Sequence, residues 1–163
     1  MKLRNLISSL LAGLGATTVH IALMSIKHRA GVLPDFEPYE DLQRLLSSMT
    51  TLSLDAPFSW LLPLINGAVI LGFVFGRLFV HLPGRTAIVK GAAFGIAAWL
   101  VMGLGLLPLV GHGVFAHELG HGGWPAALML VMLMMYAIVM SLLYAWLSHS
   151  PRGDELARMP ERR

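Results

Sequence analysis

The stretch WPAALMLVMLMMYAIVMSLLYAWL, Trp124 to Leu147, carries no charged side chain and slightly exceeds the roughly 20 apolar residues that a helix needs to cross the hydrocarbon of a bilayer. Three further stretches have the same length and apolar character with at most one charge each: Leu6 to Ile26, Phe58 to Val80 and Ile88 to Val110. Four such segments occupy most of a 163-residue chain that is 56% hydrophobic and 13% charged, with a mean hydropathy of +0.69. A water-soluble domain carries about 25% charged residues, so this composition names lipid as the solvent. A soluble enzyme, a nucleic-acid-binding protein and a disordered chain are thereby excluded. The chain has no cysteine, which removes disulfides, thiolate nucleophiles and cysteine-ligated metal centres.

The pI near 9.7 then reads as a topology signal, since Lys and Arg accumulate in the cytoplasmic loops of membrane proteins. Lys2, Arg4, Arg77, Arg85, Lys90, Arg152, Arg158, Arg162 and Arg163 fall on one side, and only Lys27, Arg29 and Arg44 on the other, so nine of the 12 cations share a face. Both termini are expected to be cytoplasmic in a multi-pass membrane protein. Lys2 and Arg4 before an apolar run resemble a signal peptide, but the run continues well past Ala16, and it is read as a retained first span. The outer face is acidic, with Asp35, Glu37, Glu40, Asp41, Asp55 and Glu118, and it also holds His28, His112, His117 and His121.

The expected fold is therefore all-α: an integral membrane, antiparallel four-helix bundle forming one domain over residues 1–150, followed by a polar cytoplasmic tail over 151–163. The connection between spans one and two is long enough to contain structure. Pro38 can open a helix with Glu40 and Asp41 in its first turn, and Leu42, Leu45, Leu46 and Met49 follow at helical spacing. That pattern predicts a short amphipathic helix in the first extracytoplasmic loop, capping the outer surface. The tight His81-Leu82-Pro83-Gly84-Arg85 turn predicts that spans two and three are antiparallel neighbours. Arg77 and Lys90 near the cytoplasmic helix ends are expected to snorkel to headgroups.

Several residues invite a chemical reading. Gly72 and Gly76 form one GxxxG and Gly91 and Gly95 another, a spacing that lets helix backbones approach closely, within the chain or against a second subunit. The methionines of the fourth span point all round the helix, which suits adaptable packing better than soft-metal ligation. His20 and Asn66 are the polar side chains expected within spans, and an ionisable group at such depth is a functional candidate by default. Thr17, Thr18, Ser25 or Asn66 could satisfy the His20 imidazole. His20 and His112 differ in depth, which argues against a shared haem.

The one recognisable catalytic string is His117-Glu118-Leu119-Gly120-His121, an HExxH. On a helix its two imidazoles would face one zinc ion, with Glu118 placed as general base. Its context is poor: Gly120, Gly122, Gly123 and Pro125 make the segment read as a loop, and His149, Asp154 and Glu155 lie across the membrane. A third ligand could come only from His112 or from an acidic residue of the first outer loop such as Asp35, Glu37, Glu40 or Asp41. Enzymatic activity is left open, with the balance against it. No cofactor is expected, the segment reading first as an ordinary polar loop; zinc at His112, His117, Glu118 and His121 is the alternative.

Leu82-Pro83-Gly84-Arg85, Lys90-Gly91, Phe94-Gly95, Ala98-Trp99-Leu100 and Pro108-Leu109 with Gly111, Gly113 and Phe115, together with Leu11-Ala12-Gly13 to Ala16-Thr17, resemble the YagU-like small four-span bacterial inner-membrane proteins. The resemblance spans Leu6 to Leu147 and implies a four-helix inner-membrane protein with no established reaction and no catalytic residues to carry over. The chain departs from that pattern at His117, Glu118 and His121, where an apolar glycine-rich loop is expected, and at Ala137 and Ser141, where glycines are expected. The leading functional expectation is a non-enzymatic accessory, assembly or envelope-stress factor whose partners are the bilayer, a second copy or another membrane protein, with no nucleic acid. The alternatives are an extracytoplasmic metal-binding protein and, third, a small transporter or channel.

Overall fold

A computed structural model describes residues 3–32, 38–49 and 64–148. Asp35, Glu37, Asp55, the start of the second apolar stretch and the 151–163 tail lie outside these residues. The described chain is helical without a strand: α1 Leu3–Arg29, α2 Pro38–Met49, α3 Ile65–Leu78, α4 Ala87–Leu109 and α5 Trp124–Ser148, with a short 3-10 segment Val114–Leu119 between the last two. Three of these, α1, α4 and α5, are long and apolar enough to cross a membrane, and α3 is a shorter apolar helix.

Small residues decide which helices touch. A Cβ placed on Gly13 would lie 2.8 Å from the Ala68 carbonyl, and one on Gly72 would lie 2.9 Å from the Ser9 carbonyl, so α1 and α3 pack backbone to backbone. The same holds between α4 and α5, where a Cβ on Gly91 would lie 2.8 Å from both the Ala137 carbonyl oxygen and the Ile138 Cα. Gly95 faces Met134 and Ala137 one turn further on. The residue pairs run in opposite order along each helix, so both contacts are antiparallel. Gly15 against Leu143 and His20 against Tyr136 make α1 and α5 antiparallel too.

The expectation that the second and third apolar segments are close neighbours is met only at one end. Each has its glycine face on another helix, so α3 against α4 is at most a minor backbone contact. Aromatic rings fill the space between them. Phe75 meets Phe94 and Tyr144 edge-on at 5.1 and 5.8 Å, and Phe79 meets Tyr144 at 4.7 Å. Phe75 and Met140 are wholly buried in this core with Ala12, Ala16 and Ala137. The Lys90 ammonium donates to the Phe79 carbonyl at 2.8 Å and lies 4.4 Å over the Phe79 ring. The last carbonyls of α3 lack helical donors, and the lysine supplies one. Thr86 caps the start of α4 by accepting from the Val89 amide, and Ser141 on α5 donates to the Ala87 carbonyl at 2.6 Å.

Two helices contain wide π-type turns, Ile65–Leu71 in α3 and Met102–Leu106 in α4. The second has a local cause. The Pro108 ring would clash with the carbonyl four residues earlier, and the longer hydrogen bond from the Leu107 amide to the Met102 carbonyl widens the turn before it.

Gly91→Ala places its methyl against backbone that cannot move aside, and we expect it to lower unfolding free energy in mixed micelles by about 1–3 kcal/mol. Gly105→Ala, whose methyl would meet nothing within 4 Å, should be near neutral. Equal effects of the two changes would remove the close approach as the determinant of the α4–α5 pairing.

Candidate functional site

The ionisable residues singled out above fall in two places, the loop after α4 and the interior between α1, α3 and α5. Beyond Pro108 the chain passes through a run of left-handed conformations. Gly111 and Gly113 take φ of 87° and 70°, and then Phe115 and Ala116, which are not glycine, take 52° and 60°. Non-glycine residues there carry strain of about 1–3 kcal/mol each and persist only where packing holds them. The Phe115 ring lies against Gly103, where a Cβ would come within 2.2 Å of it, and meets the Trp99 ring at 4.5 Å with the planes tilted by 37°. Trp99 is itself fixed by donating from Nε1 to the Ala126 carbonyl at 2.9 Å. Ala116 is wholly buried beside Leu107, Met129 and Leu133.

This loop sets the geometry of the HExxH string. His117 leaves the left-handed pair, Gly120 is left-handed at φ 72° and Gly122 at 60°, so no α-helical turn joins His117 to His121. The loop reading of this segment holds, and the shared helical face that zinc ligation by HExxH requires is absent from it. His117, Glu118 and His121 are exposed. The Glu118 amide donates to the His112 carbonyl at 3.1 Å, and its side chain covers Gly113. Among the described residues no three His, Asp or Glu side chains gather closely enough to hold an ion.

His112 has a different neighbour. Its Nε2 lies 2.5 Å from Asp41 Oδ2, and Asp41 Oδ1 lies 2.8 Å from Arg44 on the next turn of α2. The Asp41 and His112 side chains are 9% and 15% exposed, so this contact ties the amphipathic helix to the loop after α4 in partly dry surroundings. Sequence reasoning named both residues as separate candidates for a third metal ligand and missed that they pair. The usable signal was the placement of Asp41 one turn before Leu45, along the apolar stripe of α2.

In the interior, His20 meets Tyr136 edge-on with ring centroids 6.0 Å apart. Tyr136 donates its hydroxyl hydrogen to the Gly67 carbonyl at 2.6 Å. Three of the residues expected to satisfy His20 do not: Thr17, Thr18 and Ser25 donate to the carbonyls of Gly13, Leu14 and Ile21 at 2.8, 3.0 and 2.9 Å. A hydroxyl on a helix finds the carbonyl four residues earlier without leaving its rotamer well, and that local bond wins. Asn66 lies half-buried in the π-type turn of α3. Of the four GxxxG glycines, Gly72, Gly91 and Gly95 face helices of the same chain, and Gly76 is buried.

These features define an all-helical protein with apolar helices of membrane-crossing length, a strained loop and a docked amphipathic helix. The chain belongs to a family of unknown function, DUF6789, which matches residues 3–155. No curated protein and no solved structure matches it.

Removing the Asp41 carboxylate leaves a half-buried imidazole without that partner. We expect Asp41→Ala to lower stability by about 1–3 kcal/mol and to raise amide exchange across Pro38–Met49, leaving α4 and α5 protected. Unchanged exchange in α2 would show that the pair does not hold the helix.

Proposed function

We propose that the protein is an integral membrane protein of the bacterial inner membrane, an antiparallel four-helix bundle with both termini cytoplasmic and α2 capping its outer face. On this reading it has no enzymatic activity and works as an accessory, assembly or envelope-stress factor, in contact with lipid and with a second copy or another membrane protein. The observation that carries the reading is where the apolar side chains lie. Ile7, Val69, Phe73, Val101, Leu104, Val131 and Trp146 are all exposed, and they are distributed over α1, α3, α4 and α5. Such surface is too extensive to be left in water and is matched by hydrocarbon. The resemblance of Leu82 to Phe115 to YagU-like proteins points the same way.

Association with a partner then falls to these outward apolar faces. The GxxxG glycines are the poorer candidates, because Gly72, Gly91 and Gly95 are in contact with their own chain. The outer-loop polar residues have structural work in this reading: Asp41 and His112 hold α2, and Glu118 covers Gly113.

Reporter fusions at both termini and after Arg85 should report cytoplasm, and fusions within 111–123 should report the outside. Val101→Arg, near the middle of α4, should lower membrane insertion by about 2.5–3.5 kcal/mol, and Glu118→Gln should not affect it. Purified protein holding one equivalent of zinc, lost in a His117→Ala, His121→Ala double variant, would replace this reading with a metal-binding one.

A further inference from the structure

The His20 side chain is half-buried, yet its Nδ1 atom is fully shielded and has no hydrogen-bond partner among the described residues. A buried polar atom without a partner keeps its full desolvation penalty, so almost all such atoms in folded proteins turn out to be hydrogen-bonded. We propose that His20 Nδ1 anchors an internal binding site for a single water molecule between α1, α3 and α5.

Three observations specify the site. The nitrogen is fully shielded although the residue as a whole is half-buried, so its ligand is held inside the helix packing. Polar groups of the right kind converge there. Thr17 lies one turn before His20 on the same face of α1, is buried, and its Oγ1 sits where a Gly67 side chain would be, 2.2 Å from an ideal Cβ. That hydroxyl donates to Gly13, and its oxygen retains acceptor capacity for a water proton. Tyr136, edge-on to His20, donates to the Gly67 carbonyl, which also accepts from the Gly72 amide across the π-type turn. Finally, Thr17 and His20 are one helical turn apart, about 5–6 Å between Cβ atoms, a separation one water can bridge.

Water is also the ligand that suits both tautomers of the imidazole, because it donates to a bare Nδ1 and accepts from a protonated one. A buried water typically makes about three hydrogen bonds, and the imidazole nitrogen and the Thr17 hydroxyl supply two of them. The site depends on how α1, α3 and α5 pack and is independent of what the protein associates with, so its failure would leave the accessory reading intact.

The test uses the full chain, labelled with 15N-histidine and reconstituted in phospholipid bilayers. His20→Gln identifies the His20 ring resonances by their loss. We expect magnetisation transfer from water to His20 Nδ1, with a hydrogen-bonded chemical shift, and a marked loss of that transfer in the near-isosteric Thr17→Val. A His20 ring with no transfer from water and the shift of a nitrogen lacking a hydrogen bond would overturn the proposal. Thermal unfolding gives an independent readout. His20→Phe removes the anchor and should lower Tm, with His20→Gln restoring part of the loss; a Tm equal to or above that of the wild type would mean that the nitrogen was unpartnered, and would overturn the site.

Discussion

The closeness of α4 to α5 at Gly91, where a single added methyl would meet the backbone of Ala137 and Ile138, is the constraint on which the rest of the packing depends. Helices that meet through large side chains sit about 8–10 Å apart, and glycine lets the axes approach further. That approach brings Ser141 within 2.6 Å of the Ala87 carbonyl and places the Trp99 indole against Ala126, so the two ends of the pair are tied by hydrogen bonds as well. The matching contact of Gly13 and Gly72 between α1 and α3 repeats the arrangement on the other side. With both small-residue faces committed, α3 and α4 meet through rings, and Phe75, Phe79, Phe94 and Tyr144 form the seam between the two pairs.

The existence and extent of α4 and α5 were legible because long apolar runs mark them. Ile88 to Val110 and Trp124 to Leu147 each lie within about a residue of the α4 and α5 ends, and Pro38 with its acidic first turn opens α2. Partner choice was not legible. A GxxxG announces a close approach without naming the helix that makes it, and a tight turn such as His81 to Arg85 fixes connection without fixing contact. The outer loop was legible as a loop from its glycines, but the left-handed Phe115 and Ala116 were not, since nothing local favours positive φ in either residue. Their conformation follows from a tertiary cause: a phenyl ring that fills the notch at Gly103 and a methyl group buried beneath it.

That strain has a use within the fold. It turns the chain sharply enough after α4 for the His112 carbonyl to accept from the Glu118 amide and for the His112 ring to face α2. The amphipathic helix is thus held at its first turn by the contact of Asp41 with His112, and the loop that meets it is held by Phe115 against Trp99. Of the HExxH string only Glu118 is seen against a neighbour, Gly113, and the contact to α2 comes from His112, which lies outside the string.

The polar groups inside the packing follow one rule, and His20 is the exception that gives the rule its content. Thr17 bonds to its own helix, Tyr136 to α3 and Ser141 to α4, each by donating to a carbonyl. Hydroxyls can always do this, because a carbonyl has two lone pairs and a helix uses one of them. An imidazole presents two ring nitrogens, one a donor and one an acceptor in the neutral form, in fixed directions, and every helical amide nearby is already committed to its own ladder. Among the described residues, Nδ1 of His20 bonds to none. A bare Nδ1 needs a donor and a protonated one an acceptor, and a water molecule can be either.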